Sequence, residues 1–313
     1  MEHYLYKLNF RTALHIGRDG GGASLDDGQM TIHADTLVAA LCCEAVRSHH
    51  LDQLVSYLAD GTLTISDALP YAGEELYLPK PILFVKNQNR EGDAATKKAL
   101  KGVEYIPLSY FQEYLQGLSQ PQIDIENLRR DFGQLTVSTR VAIKGQNPPL
   151  PYHVAAWKFK PGCGLYLVVR TQHDSAQSLL ESLLSNVGLS GIGGKQSSGW
   201  GKFRVHSSPV PEQLQHMLAD QQASYHMLLG TALPVDQELE DILKDGWYAL
   251  VRRGGFIRSN TYAPGQFKKR TIYMLAPGSC LRRRFKGGLF DLSDNGAHPI
   301  WRCGNTLFAG VNI

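Results

Sequence analysis

Cysteine is scarce in this chain of 313 residues, and its five cysteines include no C-x-x-C pair. An odd number without that spacing argues against a disulfide framework and against a structural zinc site. We therefore expect reduced, buried thiols and no bound metal. The five are Cys42, Cys43, Cys163, Cys280 and Cys303.

Long hydrophobic runs are also absent, because no stretch approaches the roughly 20 apolar residues that a membrane-spanning helix needs. The first ten residues, MEHYLYKLNF, contain Glu2 and lack the basic and apolar regions of a signal peptide. These absences predict a cytoplasmic protein with no membrane partner.

Acidic residues are missing from two long segments. Between Gly246 and Phe290 there are ten basic residues and no Asp or Glu, which leaves 22 basic and 29 acidic residues elsewhere, a balance of −7 within a total of +3. Between Phe132 and His173 there are five basic residues and again no acid. Such local bias is typical of a surface that binds a polyanion, although a solvated basic face without a ligand is an alternative.

The residues that are present predict a globular protein, with 43% hydrophobic and 19% charged residues. The chain exceeds the usual size of one hydrophobic core, so we expect two domains, 1–208 and 209–313. Alternating apolar positions predict a first strand at 4–10. The segment HADTLVAALCCEAVRSHH predicts a buried helix with Asp35 as its N-cap.

The predicted elements of 1–208 follow the order strand, helix, strand, insertion, strands, helix, strand. This is the order of a ferredoxin-like (RRM-like, βαββαβ) unit with insertions. The insertions cover about 86–132, with a polar loop at 87–102, and a hairpin excursion at about 143–156. After a predicted linker, SSPVPEQ at 207–213, strand and helix signals recur. The predicted fold class is therefore α+β, with two ferredoxin-like units of which the second is smaller, and with a glycine-rich loop.

The glycine-rich stretch is GLSGIGGKQSSGWGKF, residues 188–203, with six glycines, two lysines and no acid. Aligned with the P-loop motif on Gly194 and Lys195, it has Leu189 in place of the first glycine and Gln196 in place of Ser or Thr. The dinucleotide motif G-x-G-x-x-G also fails at Gln196. Both motifs open a helix, whereas this stretch follows a predicted helix and precedes a strand. Neither nucleotide site is predicted.

Glycines permit close approach of a partner's backbone, and consecutive amides in a turn form a concave anion site. We interpret the stretch as a cradle for consecutive phosphates, and a flexible connection without a ligand is the alternative. Bases of a single-stranded RNA could stack on exposed aromatic side chains nearby. The candidates are Trp200, Phe256, Tyr262 and Phe267.

The pattern G-x-G-G-K-x-S-S-G-x-G before the last strand of such a unit resembles that of the repeat-associated mysterious protein (RAMP) superfamily of CRISPR systems. Within it, the chain resembles the family that holds the 5′ handle of the guide RNA in type III-A (Csm) interference complexes. The segments that carry this resemblance are, in order, TIHADTLVAALC, ISDALPY, LPKPI, TRVAI and GLSGIGGKQSSGWGKF. It is strong over residues 1 to about 205, and in the C-terminal half it rests on basic, glycine-containing strands.

The resemblance implies a non-catalytic RNA-binding scaffold without cofactors that acts in antiviral defence. Such a subunit grips the 5′ handle of the CRISPR RNA (crRNA) and joins the large polymerase-like subunit to the backbone RAMP subunits, with target RNA nearby. The hairpin at about 143–156 would be its thumb-like arm. By motif, the residues facing the handle would be Lys80, Arg140, Gly191, Gly193, Gly194, Lys195, Gln196, Ser197 and Ser198. A charge-based extension adds Arg252, Arg253, Arg258, Lys268, Lys269 and Arg270.

Two other functions remain open. Some RAMP relatives cleave precursor RNA without a metal, using a histidine as general acid or base, and His15 and His33 are the candidates here. A lone histidine near a strand end is, however, more often a hydrogen-bonded structural residue. The third possibility is a protein-only assembly module whose basic face meets an acidic partner. RNA binding differs from it in predicting an affinity that falls steeply with salt.

Overall fold

The computed structural model describes residues 2–18, 25–84, 98, 100–119, 126–128, 130–142, 148–259, 261–263, 265, 267–294 and 296–313. Most of the polar loop predicted at 87–102 lies outside these residues. The fold is mixed α/β and its strand pairs are antiparallel within every named sheet.

The elements are numbered here in chain order. The helices are α1 (Ala34–Arg47), α2 (Leu51–Asp60), α3 (Phe111–Ser119), α4 (Asp174–Ser190), α5 (Glu212–Ala219) and α6 (Asp236–Leu243). The strands up to the end of the main sheet are β1 (Glu2–Phe10), β2 (Leu63–Ile65), β3 (Leu69–Ala72), β4 (Glu75–Pro79), β5 (Tyr105–Pro107), β6 (Gly133–Ala142), β7 (Leu150–Phe159), β8 (Cys163–Thr171) and β9 (Phe203–Ser208). The later strands are β10 (Tyr225–Leu228), β11 (Leu250–Arg253), β12 (Ile272–Leu275), β13 (Cys280–Leu281), β14 (Leu289–Asp291), β15 (Trp301–Cys303) and β16 (Phe308–Val311).

Seven strands form the main sheet. In it β5, β4, β3, β8, β1 and β9 are neighbours in that order, and β2 also pairs with β8. The first strand, β1, therefore lies between β8 and β9, which flank α4 in the sequence. This arrangement brings the segment after β1 beside the loop between α4 and β9.

Both faces of the main sheet are covered. Tyr6 and Leu8 of β1 pack into a core with α1, α2 and α4. Leu5 packs into a second core with α3, α5, β10 and β16. The alternation in the sequence assigned Leu5 to the less apolar face, but it is only 1% exposed because the C-terminal strands cover that face.

The C-terminal part differs from the predicted second βαββαβ unit. Its strands pair in a three-stranded sheet, β13-β10-β16, and in two separate pairs, β11–β12 and β14–β15. Among the described residues these strands are two to four residues long. Glycine pairs at 254–255 and 287–288 interrupt the extended segments, and glycine inside a strand weakens it.

Two local predictions need correction. The N-cap of α1 is His33 rather than Asp35, and the Oδ1 atom of Asp67 accepts the hydrogen bond from the Ala34 amide at 2.7 Å. The predicted linker at 207–213 runs into helix α5, which begins after Pro211. The buried residues of α5, Leu214, Met217 and Leu218, have the i, i+3, i+4 spacing that indicates a helix in the sequence.

The hairpin excursion is longer than predicted. Strands β6 and β7 pair over ten positions, from Gly133 with Phe159 to Ala142 with Leu150. Half of the stretch predicted as a hairpin excursion, 150–156, is therefore paired strand, and residues 143–147 lie outside the described part of the chain. We call β6 and β7 together the arm.

Buried polar contacts tie the N-terminal segment to the C-terminal one. Asp35, which is 1% exposed, accepts hydrogen bonds from Arg253 at 2.8 and 3.1 Å and is also bound by Arg302. The Oδ1 atom of Asp67 accepts the amide of Thr231 at 2.9 Å. All five cysteines are free thiols, and Cys163, Cys280 and Cys303 are buried, while Cys42 and Cys43 are partly buried.

Candidate nucleic-acid interface

The loop between α4 and β9, residues 191–202, is fixed to the segment that follows β1. The amide of Gly194 donates to the carbonyl of His15 at 2.9 Å, and the amide of Gly201 donates to that of Ala13 at 2.8 Å. Within the loop, the amide of Ile192 donates to the carbonyl of Gly201 at 3.0 Å. We call this segment the glycine loop, and these bonds hold its two ends together.

The glycines of this loop allow other residues of the same chain to approach closely. A Cβ atom on Gly193, whose φ is +86°, would lie 2.3 Å from the carbonyl oxygen of His15. A Cβ on Gly194 would lie 2.5 Å from the His15 ring, and one on Gly191 would lie 2.3 Å from the carbonyl oxygen of Trp200. The close approach expected of an RNA backbone at these three positions is therefore made by the protein's own backbone and by His15.

The outer side of the glycine loop carries polar side chains. Ser197 and Ser198 are exposed, and Lys195 is half-buried in a left-handed conformation with φ of 61°. The Oε1 atom of Gln196 is buried and has no hydrogen-bond partner among the described residues. An acceptor in this state is ready for a hydroxyl or amine donor of a ligand.

The arm contributes the second half of the interface. The guanidinium of Arg140 lies 4.6 Å from the ring centroid of Trp200 and donates to the hydroxyl of Ser198 at 3.2 Å. The ammonium of Lys195 lies 4.6 Å from the ring centroid of Tyr152. Each cation thus rests on an aromatic ring of the opposite element, a contact that holds the side chain without neutralising its charge.

The base of the arm is anchored where the glycine loop is anchored. Leu14 and Trp157 exchange two backbone hydrogen bonds of 2.9 and 2.7 Å. The Nδ1 atom of His15 lies 2.7 Å from the carbonyl oxygen of Ala155, so the ring donates there. Residues 13–15 therefore hold the arm on one side and the glycine loop on the other.

The other predicted residues lie elsewhere. Lys80 follows β4, and its ammonium donates to the carbonyl of Leu100 at 2.5 Å. Burial lowers the pKa of Lys80. No contact joins it to the glycine loop in the described part of the chain, so the two motifs are not brought together through Lys80.

The basic residues of the segment 246–290 differ in their exposure to solvent. Arg252, Arg258, Lys268 and Arg270 are exposed, with the ammonium of Lys268 5.6 Å from the ring centroid of Phe256. Lys269 is partly buried, and burial lowers its pKa.

The structure corrects the prediction that Arg253 faces RNA. Its side chain is buried and binds Asp35 and the hydroxyl of Thr36, so it is a structural residue and does not face a ligand.

Among the aromatic candidates, Trp200 is half-buried, and Phe256 and Phe267 are 42% and 51% exposed. Tyr262 is only 5% exposed, and its hydroxyl accepts the amide of Asp294, so it is a core residue. Sequence reasoning missed Tyr152. Its place beside Lys195 follows from the register of β6 with β7, which no local pattern in the sequence specifies.

The two histidines considered for catalysis lie apart from each other, and each ring makes a hydrogen bond within the protein. His15 is 7% exposed and bound to the Ala155 carbonyl. His33 is 8% exposed, and its Nδ1 atom lies 2.6 Å from a carboxylate oxygen of Asp67. Both histidines make hydrogen bonds within the protein, as expected of structural histidines near strand and helix ends.

Neither a metal cluster nor a membrane-spanning helix is found in the described residues. No group of three or more His, Cys, Asp or Glu side chains there could hold a metal ion. No helix there combines the length and the hydropathy that crossing a membrane requires.

The chain is similar to known proteins along its whole length. The family model of the CRISPR Csm4 C-terminal domain matches residues 221–311. The chain is 34% identical to the CRISPR system protein Csm4 of Mycobacterium tuberculosis strain H37Rv over 312 residues, 99% of this chain and 98% of that one. It is 28% identical to Csm4 of Streptococcus thermophilus over 320 residues, with both chains fully covered.

Solved structures share the fold. A chain of a Csm3–Csm4 subcomplex from a type III-A CRISPR-Cas interference complex superposes with a TM-score of 0.67 at 17% identity, over 99% of this chain and all of that one. A chain of a Csm1–Csm4 cassette bound to pppApA gives a TM-score of 0.62 at 19% identity, over 100% and 99%. The identity to the mycobacterial relative, spread over nearly the full length of both sequences, shows that this chain belongs to the CRISPR Csm4 family.

Proposed function

We propose that this chain binds the 5′ handle of a crRNA as a non-catalytic subunit of a type III-A CRISPR effector complex, in antiviral defence. The observation that carries the proposal is the pairing of the glycine loop with the arm, which brings Arg140 and Lys195 to one surface. Neither side chain has a carboxylate partner among the described residues. Unpaired cations held on aromatic rings suit a chain of phosphates.

Hydrogen-bonding groups next to these cations support RNA as the ligand. The buried Oε1 atom of Gln196 accepts no hydrogen bond among the described residues, and a ribose 2′-hydroxyl can donate one. The exposed hydroxyls of Ser197 and Ser198 can donate to phosphate oxygens. Arg252, Arg258, Lys268 and Arg270 are exposed and extend the proposed basic surface.

Partners are proposed from the family. The similar solved chains stand in complexes with Csm3 and with Csm1. We place this chain between a backbone RAMP subunit and the large polymerase-like subunit, with target RNA near the arm. Exposed apolar side chains support such contacts, since an apolar patch of this kind marks a protein interface. They are Val137, Val141 and Leu150 on the arm, and Trp247, Leu250 and Tyr273 at β11 and β12.

We also propose that residues 2–208 form a ferredoxin-like unit. In residues 2–208, the order β9-β1-β8-β3, with α1 after β1 and α4 between β8 and β9, supports a ferredoxin-like unit with insertions. The division at about 208 and the cytoplasmic location remain predictions.

The metal-independent nuclease is the less favoured alternative. General acid–base cleavage needs a histidine within reach of the reacting hydroxyl or leaving oxygen. His15 is packed under Gly194 and donates to Ala155, and His33 lies against Asp67. Their positions favour binding over cleavage.

One experiment tests binding and cleavage together. Labelled handle RNA is incubated with the purified protein in EDTA, and we expect a complex and intact RNA. A product ending in a 2′,3′-cyclic phosphate, lost in His15→Ala, would instead establish the nuclease. Lys195→Ala should weaken the complex modestly, because one half-exposed phosphate contact is one of many, while Arg283→Ala, an exposed arginine away from the glycine loop, serves as the control.

A further inference from the structure

A small cavity lies at the other end of β1 from the glycine loop, where the main sheet meets the C-terminal segment. Its volume is about 90 Å³, and its lining includes His3, Thr64, Arg170, Arg284, Lys286 and Asn305. β1, which has nine residues and is roughly 26 Å long at about 3.3 Å per residue, separates the cavity from the glycine loop.

The cavity has a surplus of positive charge. None of the residues that line it is acidic, while two arginines and one lysine are present. Arg170 donates to the hydroxyl of Thr64 at 3.0 Å. Arg284 donates to the carbonyls of Leu218 and Asp220 at 3.1 and 2.6 Å, and to a ring nitrogen of His226 at 3.1 Å. All of these acceptors are neutral, so no hydrogen bond within the described residues compensates either guanidinium.

The positive charges around the cavity act on one another. Burial lowers the pKa of His3, and the charges of Arg170 and Arg284 lower it further. Burial also lowers the pKa of Arg284, and the charge of Arg170 lowers it further. The charge of Asp220 raises the pKa of Arg284. Positive charge that is partly removed from water, with Asp220 as the one nearby carboxylate among the groups that act on Arg284, is costly, so an anion here would be stabilising.

Unsatisfied polar atoms are also found on the lining residues. Arg170 Nε, Asn305 Oδ1 and Thr306 Oγ1 are buried and have no partner within the described part of the chain. Asn305 is 2% exposed, and its Nδ2 atom donates to the carbonyl of Leu58 at 2.6 Å, which leaves Oδ1 as an acceptor. A ligand that matches this set carries anionic oxygens for the guanidiniums and a hydroxyl for Asn305.

We propose that this cavity binds the terminal phosphate of a small ligand, either inorganic phosphate or a nucleotide. A phosphate group offers several oxygens to two guanidiniums and can keep one P–OH as a donor. At roughly 10–15 Å³ of cavity volume per water, the cavity has room for several waters, which suffices for a terminal phosphate group but not for a strand that passes through. The site is separate from the glycine loop and does not depend on the proposed RNA function.

Calorimetry on the full chain tests this site, with inorganic phosphate and 5′-AMP as probes and adenosine as the control without a phosphate. We expect saturable binding of both phosphates and none of adenosine. Arg170→Gln should weaken binding about tenfold or more, because a charge-assisted hydrogen bond is lost. Lys286→Glu, a change at an exposed rim residue that should leave folding intact, should do the same. Arg283→Gln, which does not line the cavity, should bind like wild type.

The outcomes separate the possible sources of phosphate and the two proposals. Absence of saturable phosphate and AMP binding would overturn the site, as would equal binding by wild type, Arg170→Gln and Lys286→Glu. Displacement of AMP by a 5′-hydroxyl RNA would overturn the restriction to terminal phosphates. Handle RNA binding that is unchanged in Arg170→Gln but weakened in Arg140→Gln, with the opposite pattern for phosphate, would show two independent sites.

Discussion

Gly193 shows how a glycine in this loop acts. The sequence suggested that its missing side chain admits an RNA backbone, whereas the atom nearest to the absent Cβ is the carbonyl oxygen of His15. The glycines therefore position the loop, and in the proposed function the contacts to RNA come from Lys195, Gln196 and the two serines that the loop presents.

We predict that Gly193→Val lowers both stability and RNA affinity. A branched side chain at φ of +86°, in contact with the His15 carbonyl, is strained by about 1–3 kcal/mol and lifts the glycine loop from residues 13–15. Urea unfolding and filter binding of handle RNA measure the two effects. Gly17→Ala, at a position with no atom within 4 Å of the added Cβ, should be nearly neutral in both assays. Undiminished RNA binding by Gly193→Val would refute this role of the seated loop.

The arm and the glycine loop act as a pair. Arg140 of the arm lies on Trp200 of the loop, and Lys195 of the loop lies on Tyr152 of the arm. Each element therefore positions a cation that belongs to the other, and neither would present the same surface alone.

A double-mutant cycle measures this pairing. Arg140→Ala and Trp200→Ala should each destabilise the protein slightly, and the double variant should lose less than their sum. The expected coupling is about 0.5–1 kcal/mol, the value of a cation–π contact at an exposed site. Urea unfolding supplies the four free energies, with Arg283→Ala and Trp200→Ala as the control cycle. Additive effects of Arg140→Ala and Trp200→Ala would contradict the pairing.

Elements with a strong hydrophobic period were predictable from the sequence. The strands and helices that pair with them were not. The leucines at 179, 180, 183 and 184 have the spacing that is typical of a helix and belong to α4, and the alternation at 4–10 predicted β1. The sequence predicted a hairpin excursion here, with prolines at 148, 149 and 151, but not that the strand pairing continues to Leu150, with Pro151 opposite Val141. Tyr152 was missed since cross-strand register depends on pairing between distant segments.

A buried carboxylate links the N-terminal and C-terminal segments of the molecule. Asp35 on α1 binds Arg253 and Arg302 of the C-terminal segment, and all three side chains are 5% exposed or less. The charge surplus of the segment 246–290 is thus partly internal. An arginine in an acid-free run can serve folding when its acid lies more than 200 residues away, which no local window of sequence reveals.

We predict that Asp35→Asn destabilises the full chain by about 3–5 kcal/mol, because it leaves two buried arginines without their counter-charge. Asp52→Asn, at an exposed position of α2, should cost less than about 1 kcal/mol. In a fragment of residues 1–208, which lacks both arginines, Asp35→Asn should be nearly neutral. Urea unfolding of the four proteins decides the matter, and an equal loss in the fragment and the full chain would place the partner of Asp35 within 1–208.

The measurement closest to the central proposal is the salt dependence of handle RNA binding. Arg140→Gln/Lys195→Gln removes two phosphate contacts, and the slope of log affinity against log salt should become shallower by roughly 1.4, about 0.7 per contact on a single strand. Arg283→Gln/Lys244→Gln, which removes two exposed cations elsewhere, should keep the wild-type slope. An unchanged slope and affinity in Arg140→Gln/Lys195→Gln would contradict RNA binding by the arm and the glycine loop.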